Sequence, residues 1–308
     1  MNKILTVTAN PAIDRVYFVD DFIMGEVRRP LKTVFTAGGK GLNVSRVANL
    51  LGAEVIATGF AGGYTGSFIT AEIEKSGIQQ RFTQIKGETR ICINITDKAG
   101  ASGEILEKGP VITHDEEKAF FDSFKVSIKD CDVITVSGSL PEGLTADFYT
   151  EIAKIAVKNN KKVIFDTSGK TLKDIIKSKP YMIKPNKDEF LQLTGIKNFK
   201  SEEALLALKE MGVEIPLISL GKDGAVAMIE GKFYKFVVPS VKVVNTVGSG
   251  DSTIAGIATG ISQGMSILDS IRLGMAAGIS NTQFESTGMV STKAVKEFYK
   301  TIAITELF

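Results

Sequence analysis

The sequence contains a single histidine, His114, and places it in the polar stretch Thr113-His114-Asp115-Glu116-Glu117. Consecutive acidic residues suit the first turn of a helix, where the macrodipole favours them, so His114 reads as a solvated surface residue. A Ser-His-Asp hydrolase or a histidine-rich zinc site has little to be built from. Cysteine is nearly as scarce. Cys92 and Cys131 are the 2 cysteines of the chain, which excludes a disulfide framework and leads us to expect a reducing, cytoplasmic setting. No apolar run approaches the ~20 residues of a membrane span. Met1 to Pro11 holds only a short apolar run, ended by Asn10-Pro11, and reads as a first strand rather than a secretory segment. A net charge of +2 supplies no general attraction to nucleic acid or to an anionic membrane. Affinity for anions must therefore come from local placement. Ser168-Gly169-Lys170-Thr171 imitates the end of a Walker A loop, but the glycine which that motif requires is replaced by Ile164. The segment is expected to be a strand-to-helix turn.

What the chain does have is a core. Hydrophobic residues make up 44% of its 308 positions, enough for an ordinary globular α/β protein. Short β-branched runs alternate with helical stretches. Ile4–Thr8, Val55–Thr58, Asp132–Val136, Lys162–Phe165 and Tyr181–Lys184 read as strands; Leu42–Leu51, Ala146–Val157 and Ser201–Met211 read as helices. The strands are almost continuously apolar, as strands covered on both faces should be. The pattern predicts a doubly wound, mainly parallel sheet with helices on both faces. Two excursions, 15–36 and 90–109, show strand-like alternation without long helices, and are expected to form a small β-sheet lid. No linker or repeat divides the chain, so 1–308 reads as one domain.

Chemistry concentrates at glycine-rich helix starts. In Asn245-Thr246-Val247-Gly248-Ser249-Gly250-Asp251-Ser252-Thr253 two glycines flank a serine just before a buried helical pattern. Helix N-termini attract anions through unpaired N–H groups and the macrodipole. A carboxylate, Asp251, stands inside that site, which suits transfer of a phosphoryl group to a hydroxyl; an ordinary helix cap has the same appearance. Ala37-Gly38-Gly39-Lys40-Gly41-Leu42-Asn43 opens a second helix and would let backbone approach a small ligand, with Asn43 one turn inside. Lys184-Pro185-Asn186-Lys187-Asp188-Glu189 follows a strand. Asn186 and Glu189 could hold Mg²⁺ through its water shell or form a capping box with the same spacing. Gly87-Glu88-Thr89-Arg90 and Gly25-Glu26-Val27-Arg28-Arg29 place arginines on the lid, where one could clamp a phosphate. Ser137-Gly138-Ser139-Leu140-Pro141 ends a strand at the edge where open α/β sheets bind ligands.

Taken in order, these segments resemble the PfkB carbohydrate kinase family, of ribokinase-like fold, nearly end to end. Asn10-Pro11-Ala12-Ile13-Asp14, the Gly38–Val44 segment, Ser137–Pro141 and Val247–Thr253 look like the branch that acts on hexose phosphates, which contains 1-phosphofructokinase and tagatose-6-phosphate kinase. Gly87–Arg90, Glu104–Pro110 and Gly274–Gln283 lean to the latter; Asp14–Arg29 is nearer the former, with Arg28-Arg29 where the family usually has Asn-Arg. The resemblance implies an ATP-dependent sugar-phosphate kinase. It implies a sugar phosphate held by Asp14, Gly38, Gly39, Asn43, Arg90, Ser139 and Arg29. It further implies catalysis at Gly248, Ser249, Gly250 and Asp251, with Asp251 as base. Lys184, Asn186, Ser219, Gly221, Gly224 and Asn281 would face ATP, and Asn186 and Glu189 would hold Mg²⁺ through water. Many relatives dimerise through the lid sheet, so a homodimer is expected. Tagatose 6-phosphate, fructose 1-phosphate and fructose 6-phosphate stay open as substrates. A non-catalytic sugar-phosphate sensor is a further alternative, against which the intact Asp251 argues. A Rossmann oxidoreductase would want Gly-x-Gly-x-x-Gly after the first strand, where Thr8-Ala9-Asn10-Pro11 stands.

Overall fold

The computed structural model describes residues 3–100 and 102–307. Among them the strand Lys3–Thr8 is buried on both faces, with Ile4, Leu5 and Val7 fully enclosed, and it runs through the middle of the molecule. It pairs in parallel with Val55–Gly62 on one side and Cys131–Ser137 on the other. Beyond Cys131–Ser137 follow Lys162–Asp166, Met182–Ile183 and Ile215–Ser219, all parallel. Gln79–Gln80 and Thr83–Ile85 continue the parallel pairing beside Val55–Gly62. The far edge is antiparallel: Ile215–Ser219, Ala225–Ile229, Lys232–Val237 and Ala303–Leu307 pair in that order.

Side chains alternate across the sheet as a period of two requires. Ile4, Val133 and Ile164 pack with Leu42, Val47, Ile254 and Ile257 from the helices Lys40–Leu50 and Ser249–Ser262. Leu5, Val7, Ile134 and Phe165 face the opposite way, onto the helices His114–Ser127 and Ala146–Lys158. There Phe60, Phe120 and Phe148 meet in tilted pairs with ring centroids 4.8 to 5.6 Å apart. The doubly wound architecture is thus as anticipated. The strand expected at Tyr181–Lys184 shrinks to Met182–Ile183, because Pro180 and Pro185 flank it and neither has an N–H for the ladder.

The two excursions supply a separate four-stranded sheet in the order Lys32–Gly38, Ala12–Val19, Arg90–Asp97, Ser102–Leu106. Its central pair is parallel and its outer pairs are antiparallel. The connection between its first two strands carries exposed apolar side chains, with Met24 at 86% and Val27 at 94% of their free area. His114 opens its helix beside a Thr113–Glu116 capping box, its imidazole almost fully exposed. Ser168-Gly169 is a strand-to-helix turn, with Gly169 at φ 64°. No helix among the described residues is long and apolar enough to cross a membrane.

Candidate active site

Every parallel strand points its C-terminal end at one edge of the sheet, and polar residues follow each apolar run there. Two adjoining cavities open along this edge, of about 1160 and 800 Å³, and share Lys40, Arg90 and Leu106 in their walls. The larger contains the turn Val247-Gly248-Ser249-Gly250 and Asp251. Gly248 sits at φ 82°, in the left-handed region, and directly precedes the helix Ser249–Ser262. That helix packs hard against Ile267–Asn281: a Cβ on Gly256 would lie 2.7 Å from the Cα of Gly274. The turn is tied from behind by Asn281. Its Nδ2 donates to the Val247 carbonyl at 3.0 Å, while its Oδ1 accepts from Ser252 Oγ at 2.9 Å and the Gly288 N–H at 3.1 Å.

Asp251 lies in the first turn of the helix and is 5% exposed. Asn43 Nδ2 donates to its Oδ2 at 2.7 Å. Burial raises its pKa to about 6, helped by the negative charge of Asp166; the Asn43 bond, Lys40 and Lys184 oppose the rise. A carboxylate so placed is ionised at neutral pH yet basic enough to accept a proton, which is what a general base requires. Its neighbours at the helix start are N–H groups with no intrahelical partner.

Gly38 and Asp14 occupy facing strands of the small sheet. A Cβ at Gly38 would fall 2.1 Å from the Asp14 carboxyl, so only glycine lets that side chain lie across the strand. Burial pushes the Asp14 carboxyl up, against the pull of Arg46, Arg90 and a bond from the Gly39 N–H. Arg90 donates to the carbonyls of Glu107 and Asn10, each at 3.0 Å, leaving a buried Nε without a partner. Asp14, Gly39, Asn43 and Arg90 line the larger cavity, and Ser139 lines the smaller. Gly38 is behind Asp14 rather than in either wall. Arg29 is exposed on the 20–31 connection and belongs to neither wall; its neighbour Arg28 is bound to Asp21 and Glu26 at 3.0 and 2.6 Å.

On the other flank, Lys184, Asn186, Ser219, Gly221 and Gly224 line the larger cavity. Lys184 is buried and pairs with the buried Asp166 at 3.5 Å. The capping box at Asn186 is present: Glu189 N–H donates to Asn186 Oδ1, and Asn186 N–H to Glu189 Oε2, both at 2.8 Å. The box uses the single side-chain oxygen of Asn186, which keeps a second lone pair, and one of the two oxygens of Glu189, so Glu189 keeps a whole oxygen for the cavity that both residues line. Among the described residues no group of three or more His, Cys, Asp or Glu side chains could enclose a metal. A cation here would keep most of its water, as Mg²⁺ does, so the donor set fits Mg²⁺ bound through water and phosphate oxygens. Asn281, expected near the nucleotide base, is fully buried with both ends of its amide bonded, and it is absent from the cavity walls.

Three residues of this site were not picked out from the sequence. Lys40 stands in the wall common to both cavities, in the field of Asp166, Asp251 and Glu189. Asp166 closes an apolar strand at the ligand edge, and that position was its available signal. Arg46 follows Asn43 by three residues, hence on the same helical face, and donates to Asn43 Oδ1 and to the Ala37 carbonyl.

The arrangement joins a glycine-rich helix start, a buried carboxylate and two adjoining cavities. Known proteins agree with such chemistry. A family model described as pfkB family carbohydrate kinase matches residues 1–293. Tagatose-6-phosphate kinase of Staphylococcus epidermidis is 42% identical, over 99% of this chain and 100% of its own length. Phosphofructokinase-2 of Escherichia coli, solved with potassium, superposes with a TM-score of 0.90 at 25% identity over 98% of this chain and 99% of its own. A Thermotoga maritima protein described as a possible 1-phosphofructokinase gives 0.87 at 26% identity, with 100% of both chains covered. The chain belongs to the pfkB family of carbohydrate kinases and is an ATP-dependent sugar kinase.

Proposed function

We propose that the enzyme phosphorylates tagatose 6-phosphate with ATP, giving tagatose 1,6-bisphosphate and ADP. The observation that carries the choice of substrate is the 42% identity, over the full length of both chains, to a tagatose-6-phosphate kinase. In this reading the sugar lies beneath the small sheet, which serves as a lid. Asp14 and Asn43 orient its hydroxyls, and Gly38 and Gly39 admit it close to the backbone. Arg90 and Ser139 hold the phosphate that the sugar already carries, and Arg29 reaches it only if the 20–31 connection folds inward. Asp251 takes the proton from the attacking hydroxyl. The oxygen forms its bond to the γ-phosphorus as the bond to the β-phosphate oxygen breaks, and ADP leaves. The N–H groups of Gly248, Ser249 and Gly250 stabilise the charge on the group in transit. Lys184, Ser219, Gly221 and Gly224 line the nucleotide side. Asn186 and Glu189 would hold Mg²⁺ through its water shell, and the ion would supply positive charge to offset that of the nucleotide phosphates.

A coupled ADP-release assay across tagatose 6-phosphate, fructose 1-phosphate, fructose 6-phosphate and the free sugars tests the assignment. The highest kcat/KM is expected for tagatose 6-phosphate. A higher value for fructose 1-phosphate would replace the substrate and keep the site.

The lid also supports a homodimer in solution. Phe22, Ile23, Leu31, Phe35 and Ile105 are exposed on or beside the small sheet, Phe35 and Ile105 on its face away from the cavities, and an exposed apolar sheet face is normally covered by a partner. A two-fold pairing of identical lids would cover it. Light scattering after size exclusion is expected to give twice the 33.1 kDa chain mass. A single-chain mass at micromolar concentration would show that the face stays uncovered.

A further inference from the structure

Arg46 lines neither cavity, yet its guanidinium is committed on both sides. Nη1 donates to the Ala37 carbonyl and Nη2 to Asn43 Oδ1. A guanidinium has donors and no acceptor. It therefore selects one of the two orientations of the Asn43 amide, with the oxygen towards Arg46 and the nitrogen towards Asp251. The reverse orientation would set an amide oxygen against the carboxylate. The contact is also walled off. A Cβ at Gly288 would come within 2.9 Å of Asn43 Oδ1 and 3.0 Å of Arg46 Nη2, so loop backbone lies directly over the pair. That stretch is held in turn by Asn281, which accepts the Gly288 N–H.

We propose that Arg46 is a positioning residue for phosphoryl transfer, acting through Asn43 to aim the Asn43 amide nitrogen at Asp251 and so to fix the base against the sugar hydroxyl. The inference rests on Asp251 being the base. It makes Arg46, Asn43 and Asp251 a single relay linking the second glycine-rich helix to the first. The other charges facing Asp251 are Asp166, Lys40 and Lys184. Arg46 adds a positive charge behind Asn43 and faces Asp14 as well.

A double-mutant cycle decides it. Arg46→Met and Asn43→Ala, alone and together, are assayed with tagatose 6-phosphate and saturating MgATP from pH 5 to 9. Arg46→Met is expected to lower kcat by about tenfold to a hundredfold, and by less than about threefold in the Asn43→Ala background, because residues in one network are not additive. The KM for ATP should hold. The acidic limb of the kcat profile should move to higher pH, since a base that loses its hydrogen-bond donor and a nearby cation holds its proton longer. Arg46→Lys should recover only part of the loss, a point charge being unable to span two acceptors. It also stands in if the methionine variant fails to fold. Equal losses in both backgrounds, or an unmoved acidic limb, would make Arg46 merely structural and overturn the proposal. Asp251→Asn is run alongside. If that variant keeps its turnover, the base assignment itself has failed. If it is inactive while Arg46 behaves additively, only the relay has failed.

Discussion

Asp251→Asn is expected to yield a folded protein whose kcat is lower by about two to four orders of magnitude, the usual worth of a positioned base. Asparagine nearly preserves the shape of the side chain, so sugar and nucleotide binding should persist. The wild-type kcat/KM should rise with pH and level off above about 6, where burial and Asp166 have put the Asp251 pKa; the variant should lose that limb. Stability should respond in the opposite sense. The folded pKa lies above the ordinary aspartate value of 3.8, so the folded state holds this proton more tightly than the unfolded chain does. The stability contributed by the protonated group is fully present below about 4 and is lost as pH rises through about 6. At pH 8 the wild-type enzyme carries a buried, disfavoured carboxylate, and the variant should melt no lower than wild type. Wild-type-like turnover in thermal-shift-verified, folded Asp251→Asn would sink the base assignment.

Gly248→Ala should bring the second large loss. At φ 82° an L side chain is strained, and its Cβ would also meet Gly288 N and Thr287 Cβ at 3.2 Å and Asn281 Oδ1 at 3.3 Å. Relief can come only by shifting the turn that, in the proposed mechanism, presents its N–H groups to the transferred phosphoryl group. A loss of about a hundredfold in kcat is expected, comparable to deleting one donor from an oxyanion hole. A lowering of stability by about 1 kcal/mol or more should accompany it. Gly264→Ala is the matched control, since Gly264 has φ 76° with nothing within 4 Å of its built Cβ. It should lose stability through strain alone and keep full turnover. If both variants retain activity, the Gly248 turn is not where charge develops.

Much of this was legible in the chain itself. Strands such as Lys3–Thr8 declare themselves because burial on both faces demands short runs of apolar and β-branched residues, here Ile4, Leu5 and Val7 with the small, β-branched Thr6 between them. Asp251 and Asn43 stand one turn inside glycine-rich helix starts, a local pattern that a sequence carries openly. The antiparallel edge was not legible. Its hairpin turns at Glu230-Gly231, with φ 51° and 81°, and Glu-Gly is a far weaker turn signal than Asn-Gly or Asp-Gly. Ala303–Leu307 follows a helix directly, with no turn residues to mark it. The roles of Arg46, Asp166 and Asn281 were hidden for a different reason. Each depends on a partner, such as Ser252 for Asn281 and Lys184 for Asp166, and a lone polar residue gives no sign of whether it faces a ligand or braces a turn. Asn281 is the clearest case: the same amide that could meet a nucleotide base instead ties Val247, Ser252 and Gly288 together.

The central position of Lys3–Thr8 bears on how the protein is born. Its partner Val55–Gly62 leaves the ribosome soon after it, but Cys131–Ser137, paired to its other edge, is synthesised much later. A growing chain must carry a half-paired strand, with Ile4, Leu5 and Val7 uncovered, through that interval, when edge-to-edge association with other nascent chains is a hazard. The bond between Asn43 and Asp251 spans 208 residues, so the proposed base cannot be positioned until almost the whole polypeptide has emerged. Non-local pairing of this kind makes folding slow. In a refolding experiment, enzyme activity should therefore return later than helical circular dichroism.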